Sequence, residues 1–241
     1  MKVLLVNGSP HERGCTFTAL SEVAKTLQEN GVETEIFHVG NHPVRGCIAC
    51  GRCAALGRCV FEDDAANQLQ SLMKSADGVV IGSPVYYAGP NGALCALLDR
   101  VFYSSGGAFA NKPAAAVVSA RRSGTTAAFD RLNKYFTISS MPIVSSQYWN
   151  GVHGNTPQEV LQDKEGLQTM RTLGRNMAWM IKSIQSGWQP LPGKSRSLPI
   201  LSADPKSRQQ RCRLFCMVRD KTERRMPQRP AVGRERPGSA R

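Results

Sequence analysis

Short apolar runs alternate along the chain with segments whose apolar residues recur every three or four positions. Residues 3–6 are continuously apolar, as in a strand that is buried on both faces. A helix is predicted from about Thr16, because the apolar positions between 17 and 27 fall on one face. The pattern then predicts strands at 33–39, 78–81, 114–119 and 141–147, and helices after about residue 64 and at 94–103, 126–138 and 156–185. Strands that alternate with helices in this way favour a parallel sheet with helices on both faces.

The predicted fold class is α/β. Five such strands fit a flavodoxin-like three-layer sandwich whose parallel sheet has the order 2-1-3-4-5. Ligands of these sheets bind at the carboxyl ends of the strands, beside the first strand. The loops expected there are 8–16, 82–90 and 120–125, and all three are rich in Gly, Ser and Thr. We therefore expect the functional site where these three loops meet.

The first loop has the chemistry of an anion site. A buried strand, a polar loop and a helix N-terminus present unpaired N–H groups and the positive end of the helix dipole. Ser9, Thr16 and Thr18 add hydroxyls, and Arg13 adds a positive charge. The loop matches neither G-x-G-x-x-G nor G-x-x-x-x-G-K-[ST], and its hydroxyls suit a terminal phosphate monoester such as that of FMN. The alternative is an ordinary strand-to-helix turn with a capped helix.

The other two loops suit a flat redox ring. The second loop has the sequence Ser83-Pro84-Val85-Tyr86-Tyr87. A backbone stiffened by proline and an aromatic ring would therefore lie at the carboxyl ends of the strands, beside the first strand. Alternatively, the two tyrosines pack under the next helix. In the third loop, Arg121 and its neighbour Arg122 face either a flavin edge, a nicotinamide phosphate or solvent. Gly124 indicates a tight turn or a close backbone approach.

Four cysteines form a compact motif in the loop 45–60. They are spaced C-x2-C-x2-C-x5-C, which is similar to the C-x2-C-x2-C-x3-C-P run of ferredoxins. The candidate metal ligands are Cys47, Cys50, Cys53 and Cys59. A [4Fe-4S] cluster, a zinc ion and a metal-free thiol loop are the three interpretations. The spacing favours zinc less than a cluster, because all-cysteine zinc sites usually combine two separated C-x2-C pairs.

The four histidines do not form a catalytic set, so we expect a bound cofactor to carry the chemistry. The loops together resemble those of the NAD(P)H-dependent FMN reductase family, and the cysteine motif resembles its iron–sulfur flavoprotein branch. This resemblance covers about residues 1–186. It implies FMN, a homodimer or homotetramer, and electron exchange between FMN and a [4Fe-4S] cluster. It also implies that the phosphate is held by Ser9, Arg13, Cys15, Thr16 and Thr18, and the ring by Ser83, Pro84, Val85 and Tyr86. Cys15 stands where many relatives have Asn.

Basic residues are concentrated at the end of the chain. From Gln189 onward there are 14 Lys and Arg against 4 Asp and Glu, and before it there are 17 against 14. We predict an FMN-binding domain over 1–188, followed by a basic, disordered tail over 189–241. The nearly neutral domain gives no reason to expect a nucleic-acid partner. Without a signal peptide or an apolar run of about 18 residues, the chain is expected to be cytoplasmic and not to enter a membrane.

These features predict an FMN-dependent oxidoreductase. It would take electrons from NAD(P)H or a redox partner and pass them to a small acceptor, through a [4Fe-4S] cluster if the cysteines hold one. One alternative is a flavin and iron–sulfur electron carrier between proteins. Another is a non-redox flavodoxin-like scaffold whose cysteine loop binds zinc.

Overall fold

The computed structural model describes residues 1–187, and the predicted basic tail, 189–241, lies outside the described residues. The strands are β1 (Lys2–Asn7), β2 (Glu33–His38), β3 (Gly78–Tyr86), β4 (Gly89–Pro90), β5 (Ala114–Ala120) and β6 (Gly151–His153). The helices are α1 (Cys15–Glu29), α2 (Cys53–Leu56), α3 (Ala66–Ser75), α4 (Gly92–Ser104), α5 (Thr125–Ile138), α6 (Pro157–Val160) and α7 (Lys164–Gly187). The described part of the chain thus alternates strands and helices as the sequence predicts.

The parallel strands lie in the order β2-β1-β3-β5-β6. This is the predicted order 2-1-3-4-5 when the five parallel strands are counted alone. The described sheet has six strands, because β4 pairs antiparallel with the end of β3. The prediction missed β4 because β3 continues through the segment 82–86 that the sequence assigned to a loop.

The sheet has a separate hydrophobic core on each face. Leu4 and Val6 pack with residues of α3, α4 and α5, whereas Val3 and Leu5 pack with residues of α1 and α7. Alternate residues of β1 therefore point to opposite faces, as the continuously apolar run 3–6 predicts for a strand buried on both sides. The result is the three-layer arrangement expected from the sequence.

The fifth parallel strand is displaced from its predicted position at 141–147. This segment runs beside β5 only at its start, where Ala114 N–H donates to the Pro142 carbonyl at 2.9 Å and Val144 N–H donates to the Ala114 carbonyl at 2.8 Å. It then leaves the sheet, and pairing resumes at β6. In the gap, the buried Asn150 side chain donates to the Ala116 carbonyl at 3.1 Å. A side-chain amide thus replaces the missing strand backbone.

The predicted last helix is divided into α6 and α7. Thr156 caps α6, since its hydroxyl accepts from Glu159 N–H at 3.2 Å, as the capping-box sequence predicts. Asp163 then starts α7 by accepting from Gly166 N–H at 2.9 Å, and it also accepts from His153 N–H at 2.7 Å. Within residues 1–187 no helix combines the length and apolar character needed to cross a membrane.

Candidate functional site

The loop between β1 and α1, residues 8–14, is fixed by a buried side chain at the end of the strand. Asn7 accepts from Ser9 N–H at 3.1 Å and donates to the Glu12 carbonyl at 3.0 Å, so it holds both halves of the loop. The Ser9 carbonyl contacts His38 Nε2 at 2.9 Å. A loop held at this many points keeps the following helix N-terminus in a defined position.

The N-terminus of α1 has no side-chain cap. Its N-cap residue is Gly14, whose lack of a side chain leaves the first N–H groups of the helix to other partners. The first backbone bond of the helix joins Thr18 N–H to the Gly14 carbonyl at 3.0 Å. A phosphate accepts hydrogen bonds from such a terminus and is favoured by the helix dipole. The residues present therefore fit the FMN phosphate proposed from the sequence.

The hydroxyls predicted to hold the phosphate differ in availability. Thr16 is buried, and its hydroxyl lies 2.8 Å from that of Ser119, which ties α1 to β5. The Thr18 hydroxyl donates to the Gly14 carbonyl at 3.2 Å. The Ser9 hydroxyl accepts from His11 N–H at 3.1 Å, and its proton has no acceptor among residues 1–187. The Thr16 hydroxyl thus already has a buried partner, whereas the Ser9 hydroxyl can donate to a phosphate.

Arg13 and Cys15 lie on either side of this helix start. Arg13 is exposed, so its side chain is accessible to the phosphate of a ligand that binds from solvent. The Cys15 thiol instead faces the Gly154 carbonyl, at 3.7 Å from it. Burial raises the pKa of the Cys15 thiol, so the side chain is neutral at physiological pH. Its predicted contribution to phosphate binding is thus limited to its backbone N–H.

The second loop is a strained hairpin that joins β3 to β4. Val85 pairs with Pro90 and Tyr86 with Gly89, so that only Tyr87 and Ala88 form the turn. Both turn residues have positive φ, at 50° and 60°, the backbone of a type I′ turn that usually contains Asn or Gly. Strain of this kind clusters at ligand sites.

The buried Ser83 side chain holds the two ends of this hairpin together. Its side chain is completely buried, and its hydroxyl accepts from Asn91 N–H at 2.9 Å and donates to the Pro84 carbonyl at 2.8 Å. Pro84 and Val85 are half-buried and Tyr86 is exposed. Ring contacts are therefore available from Pro84, Val85 and Tyr86, while Ser83 shapes the loop.

The third loop meets the second at Gly124. This residue has φ +86°, and a Cβ added to it would lie 3.0 Å from Ala88 Cα and 3.3 Å from Val85 Cγ1. Arg121 lies three residues earlier and is exposed. The structure thus brings the second and third loops into contact at the carboxyl edge of the sheet, where the sequence predicted a flavin ring.

The four cysteines of the loop 45–60 line a single recess. Its walls are formed by Cys47, Ile48, Cys50, Gly51, Cys53, Cys59, Val60, Phe61, Arg100, Tyr103 and Ser104. Burial and then the neighbouring Cys50 and Cys47 thiols raise the pKa of Cys53. Within residues 1–187, however, no group of three or more His, Cys, Asp or Glu side chains has the arrangement of a site for a metal ion. The predicted ligands share a recess without being gathered around one point.

A buried arginine that the sequence analysis did not identify forms the floor of this recess. Arg100 is 2% exposed, and its Nε donates to Cys59 Sγ at 3.2 Å. Its Nη1 donates to Asp64, which is also buried, and its Nη2 has no hydrogen-bond partner among the described residues. The sequence signal was an arginine between Leu98 and Val101 on the apolar face of α4. An unpartnered donor in a cysteine-lined recess fits an anionic iron–sulfur group.

Comparison with known sequences identifies the family. The sequence matches the family described as NADPH-dependent FMN reductase over residues 1–156. It is 33% identical over 193 residues to Iron-sulfur flavoprotein MJ1083 of Methanocaldococcus jannaschii, which covers 77% of this chain and 100% of that relative.

Solved structures show the same fold. The structure of RosB with the bound intermediate 8-demethyl-8-formylriboflavin-5'-phosphate has a TM-score of 0.63 at 15% identity, covering 98% of this chain and 95% of RosB. A flavodoxin from the domain Archaea has a TM-score of 0.52 at 15% identity, covering 76% of this chain and 99% of that protein. The fold is therefore flavodoxin-like. By its sequence the chain belongs to the NADPH-dependent FMN reductase family and is an FMN-dependent oxidoreductase.

Proposed function

We propose that this protein transfers electrons from NAD(P)H to a small acceptor by means of FMN bound at the edge formed by its three loops. The observation that carries the proposal is the uncapped N-terminus of α1, whose N-cap is Gly14, at the edge of the sheet where the strained hairpin also lies. FMN, when bound, supplies reversible transfer of one or two electrons. The protein's part is to bind the phosphate, orient the ring and leave one ring face open to donor and acceptor.

The phosphate site is tested by comparing FMN with riboflavin, which lacks the phosphate. Charge-assisted hydrogen bonds contribute about 1.5–3 kcal/mol each, so wild-type protein should bind FMN at least about tenfold more tightly than riboflavin. Because Arg13 is exposed, Arg13→Gln should weaken FMN binding about two- to fivefold and leave riboflavin binding unchanged. Arg175→Gln, at an exposed arginine of α7, is the matched control and should change neither affinity. Equal affinity of the wild-type protein for both flavins would refute the phosphate site.

The electron donor is tested by anaerobic mixing of the FMN-loaded protein with NADPH and, separately, with NADH. Bleaching of the flavin absorbance by either nucleotide, followed by turnover with a small quinone or nitroaromatic acceptor, is the expected result. If only a reduced redox protein bleaches the flavin, the alternative of an electron carrier between proteins is correct and the reductase proposal is wrong.

We further propose that Cys47, Cys50, Cys53 and Cys59 hold a [4Fe-4S] cluster. Support comes from their shared recess, from the unpartnered Arg100 Nη2 in it, and from the name of the Methanocaldococcus relative. A cluster spreads its four thiolates farther apart than a single zinc ion does. The lack of a compact metal-ion group among the described residues therefore weighs more against the zinc scaffold than against a cluster.

The cluster is tested by assaying iron and sulfide after anaerobic reconstitution. Wild-type protein should hold about four iron atoms per chain, as this cluster type requires. Cys59→Ser should lose most of them, whereas Cys95→Ser, at a half-buried cysteine of α4 outside the recess, should keep them. Equal iron content in the two variants would exclude Cys59 as a ligand.

The resemblance also leads us to propose a homodimer or homotetramer in the cytoplasm. The six cysteines within residues 1–187 are all free thiols, which fits a reducing compartment. Sedimentation analysis of the FMN-loaded protein measures the oligomeric state directly, and a monomer at micromolar concentration would contradict this proposal.

A further inference from the structure

We propose that Arg100 is a positioning residue for the cysteine recess. It fixes Cys59 as the rigid corner of the site and keeps one N–H available to the anionic group that the cysteines hold. This inference rests on the proposed cluster. It assigns to a residue of α4 a role in setting the reduction potential of that cluster.

Arg100 forms an ion pair that is buried, unlike an ion pair at the protein surface. Its side chain is 1% exposed and that of its partner Asp64 is 7% exposed. Nη1 also donates to the Arg45 carbonyl at 3.2 Å, and the guanidinium carbon lies 5.5 Å from the centre of the Phe61 ring. Burying two charges costs several kcal/mol per ion, and the attraction within the pair often only offsets that cost. Stability alone therefore gives little reason for a buried arginine at this position.

Cys59 is the best-fixed cysteine of the four. Its backbone N–H donates to Asn67 Oδ1 at 2.9 Å, and Asn67 Nδ2 donates to the Cys59 carbonyl at 3.1 Å. The Nε–H of Arg100 then holds its sulfur at 3.2 Å. In contrast, Cys47 and Cys50 are exposed. The fourth cysteine is thus preorganised by both main-chain and side-chain bonds.

The unpartnered Nη2 of Arg100 points to a ligand. A buried donor without an acceptor is destabilising, so such groups in proteins call for an explanation. Arg100 lines the recess together with all four cysteines, and thiolates or cluster sulfides are acceptors for its free N–H. Hydrogen bonds to sulfur and positive charge nearby both favour the reduced state of an iron–sulfur cluster. Arg100 should therefore raise the reduction potential.

A purely structural role makes a different prediction. If the Arg100–Asp64 pair only joined the cysteine loop to α4, its loss would lower the melting temperature without moving the potential. Arg100→Lys separates the two roles, because it keeps the charge beside Asp64 but removes the fork that reaches Cys59. Arg45→Lys is the matched control, since the Arg45 side chain pairs with exposed Asp63 and donates to none of the cysteines within residues 1–187.

The experiment measures iron content and the one-electron midpoint potential of the anaerobically reconstituted protein, with the reduced cluster followed by electron paramagnetic resonance during a dithionite titration. Arg100→Lys should shift the potential to more negative values by about 59 mV, a tenfold change in the one-electron equilibrium constant. Arg45→Lys should not shift it. Loss of iron from a folded Arg100→Lys protein that still binds FMN would also support the role in holding Cys59.

A double variant, Arg100→Gln with Asp64→Asn, removes both charges and tests the inference if the single variant does not fold. It should show the same negative shift or the same loss of iron. Wild-type iron content and potential in the folded variants would overturn the inference and leave the proposed cluster intact. Wild-type protein without iron would instead overturn the cluster and this inference together.

Discussion

Gly124 lies directly against Ala88, so that the loop after β5 supports the tip of the hairpin between β3 and β4. A Cβ at Gly124 would lie 3.0 Å from Ala88 Cα, and both residues have positive φ. The position of the hairpin tip is therefore coupled to the backbone of the third loop. Both loops belong to the proposed flavin site. A small change at Gly124 should therefore change the affinity for FMN.

Gly124→Ala should raise the Kd for FMN at least tenfold. The added methyl group contacts the hairpin tip, and the positive φ adds about 1 kcal/mol of strain. Gly31→Ala is the control, because Gly31 has φ +72° and nothing within 4 Å of an added Cβ. Both variants carry the strain of a positive φ, but only Gly124→Ala adds contacts at the hairpin tip, so it should also lose more unfolding free energy in a urea titration. Equal FMN affinity in the two variants would contradict the proposed contact between loop and ring.

Asn150→Ala should lower the free energy of unfolding by about 2–4 kcal/mol. The substitution removes the buried amide that bonds to the Ala116 carbonyl and leaves that carbonyl without its partner. Asn155→Ala, at an exposed asparagine four residues after β6 begins, should change the free energy by less than about 0.5 kcal/mol. Chemical denaturation of both variants checks the difference, which would vanish if the Asn150 side chain did not complete the sheet.

Lys112→Met should destabilise the fold by about 1–3 kcal/mol. The Lys112 ammonium donates to the carbonyls of Met73, Lys74 and Ala76 at the end of α3, at 3.0, 2.5 and 2.5 Å. A positive charge at this end also complements the helix dipole. Lys134→Met, at an exposed lysine of α5, provides the comparison by thermal and chemical denaturation. Similar stability of the two variants would argue against the cap.

The Cys15 thiol should make the free energy of unfolding depend on pH in the alkaline range. Burial raises the pKa of its thiol, so folded protein keeps this proton to a higher pH than the unfolded chain does. Its contribution to stability is therefore present below the ordinary thiol pKa of about 8.5 and is lost as the pH rises through the raised value. Cys15→Ala should remove this part of the decline in unfolding free energy above pH 8.5.

The same variant tests how Cys15 meets the phosphate. Because its side chain faces the Gly154 carbonyl, Cys15→Ala should keep FMN affinity within about threefold, the range of a lost exposed contact. A loss of more than tenfold would show that the thiol itself contacts the cofactor, contrary to its position beside the Gly154 carbonyl.

The spacing of apolar residues along the chain was sufficient to predict the first strand, the first helix and the order of the parallel strands. The apolar run 3–6 and the helical spacing after Thr16 predicted β1 and α1, and the alternation of elements predicted the strand order. The Gly, Ser and Thr content of the three loops predicted a site at the edge where the carboxyl ends of the parallel strands meet, and the structure brings the second and third of these loops into contact there. These features require no knowledge of distant contacts.

Three of the features that were missed depend on contacts between distant residues. The fifth strand was placed at 141–147 because nothing local reveals that Asn150 would bond to Ala116 across the gap. The availability of the Thr16 hydroxyl could not be judged, because Ser119 lies 103 residues away. Arg100 was overlooked because its partner Asp64 comes from a different segment.

The most direct test is an absorbance spectrum of protein purified without oxygen, with FMN, iron and sulfide assayed on the same sample. We expect flavin bands over a broad brown absorption, with about four iron atoms per chain as the cluster type requires. Flavin bands without iron would confirm the FMN site and contradict the cluster. Protein that contains no flavin and binds none when titrated with FMN would contradict the central claim.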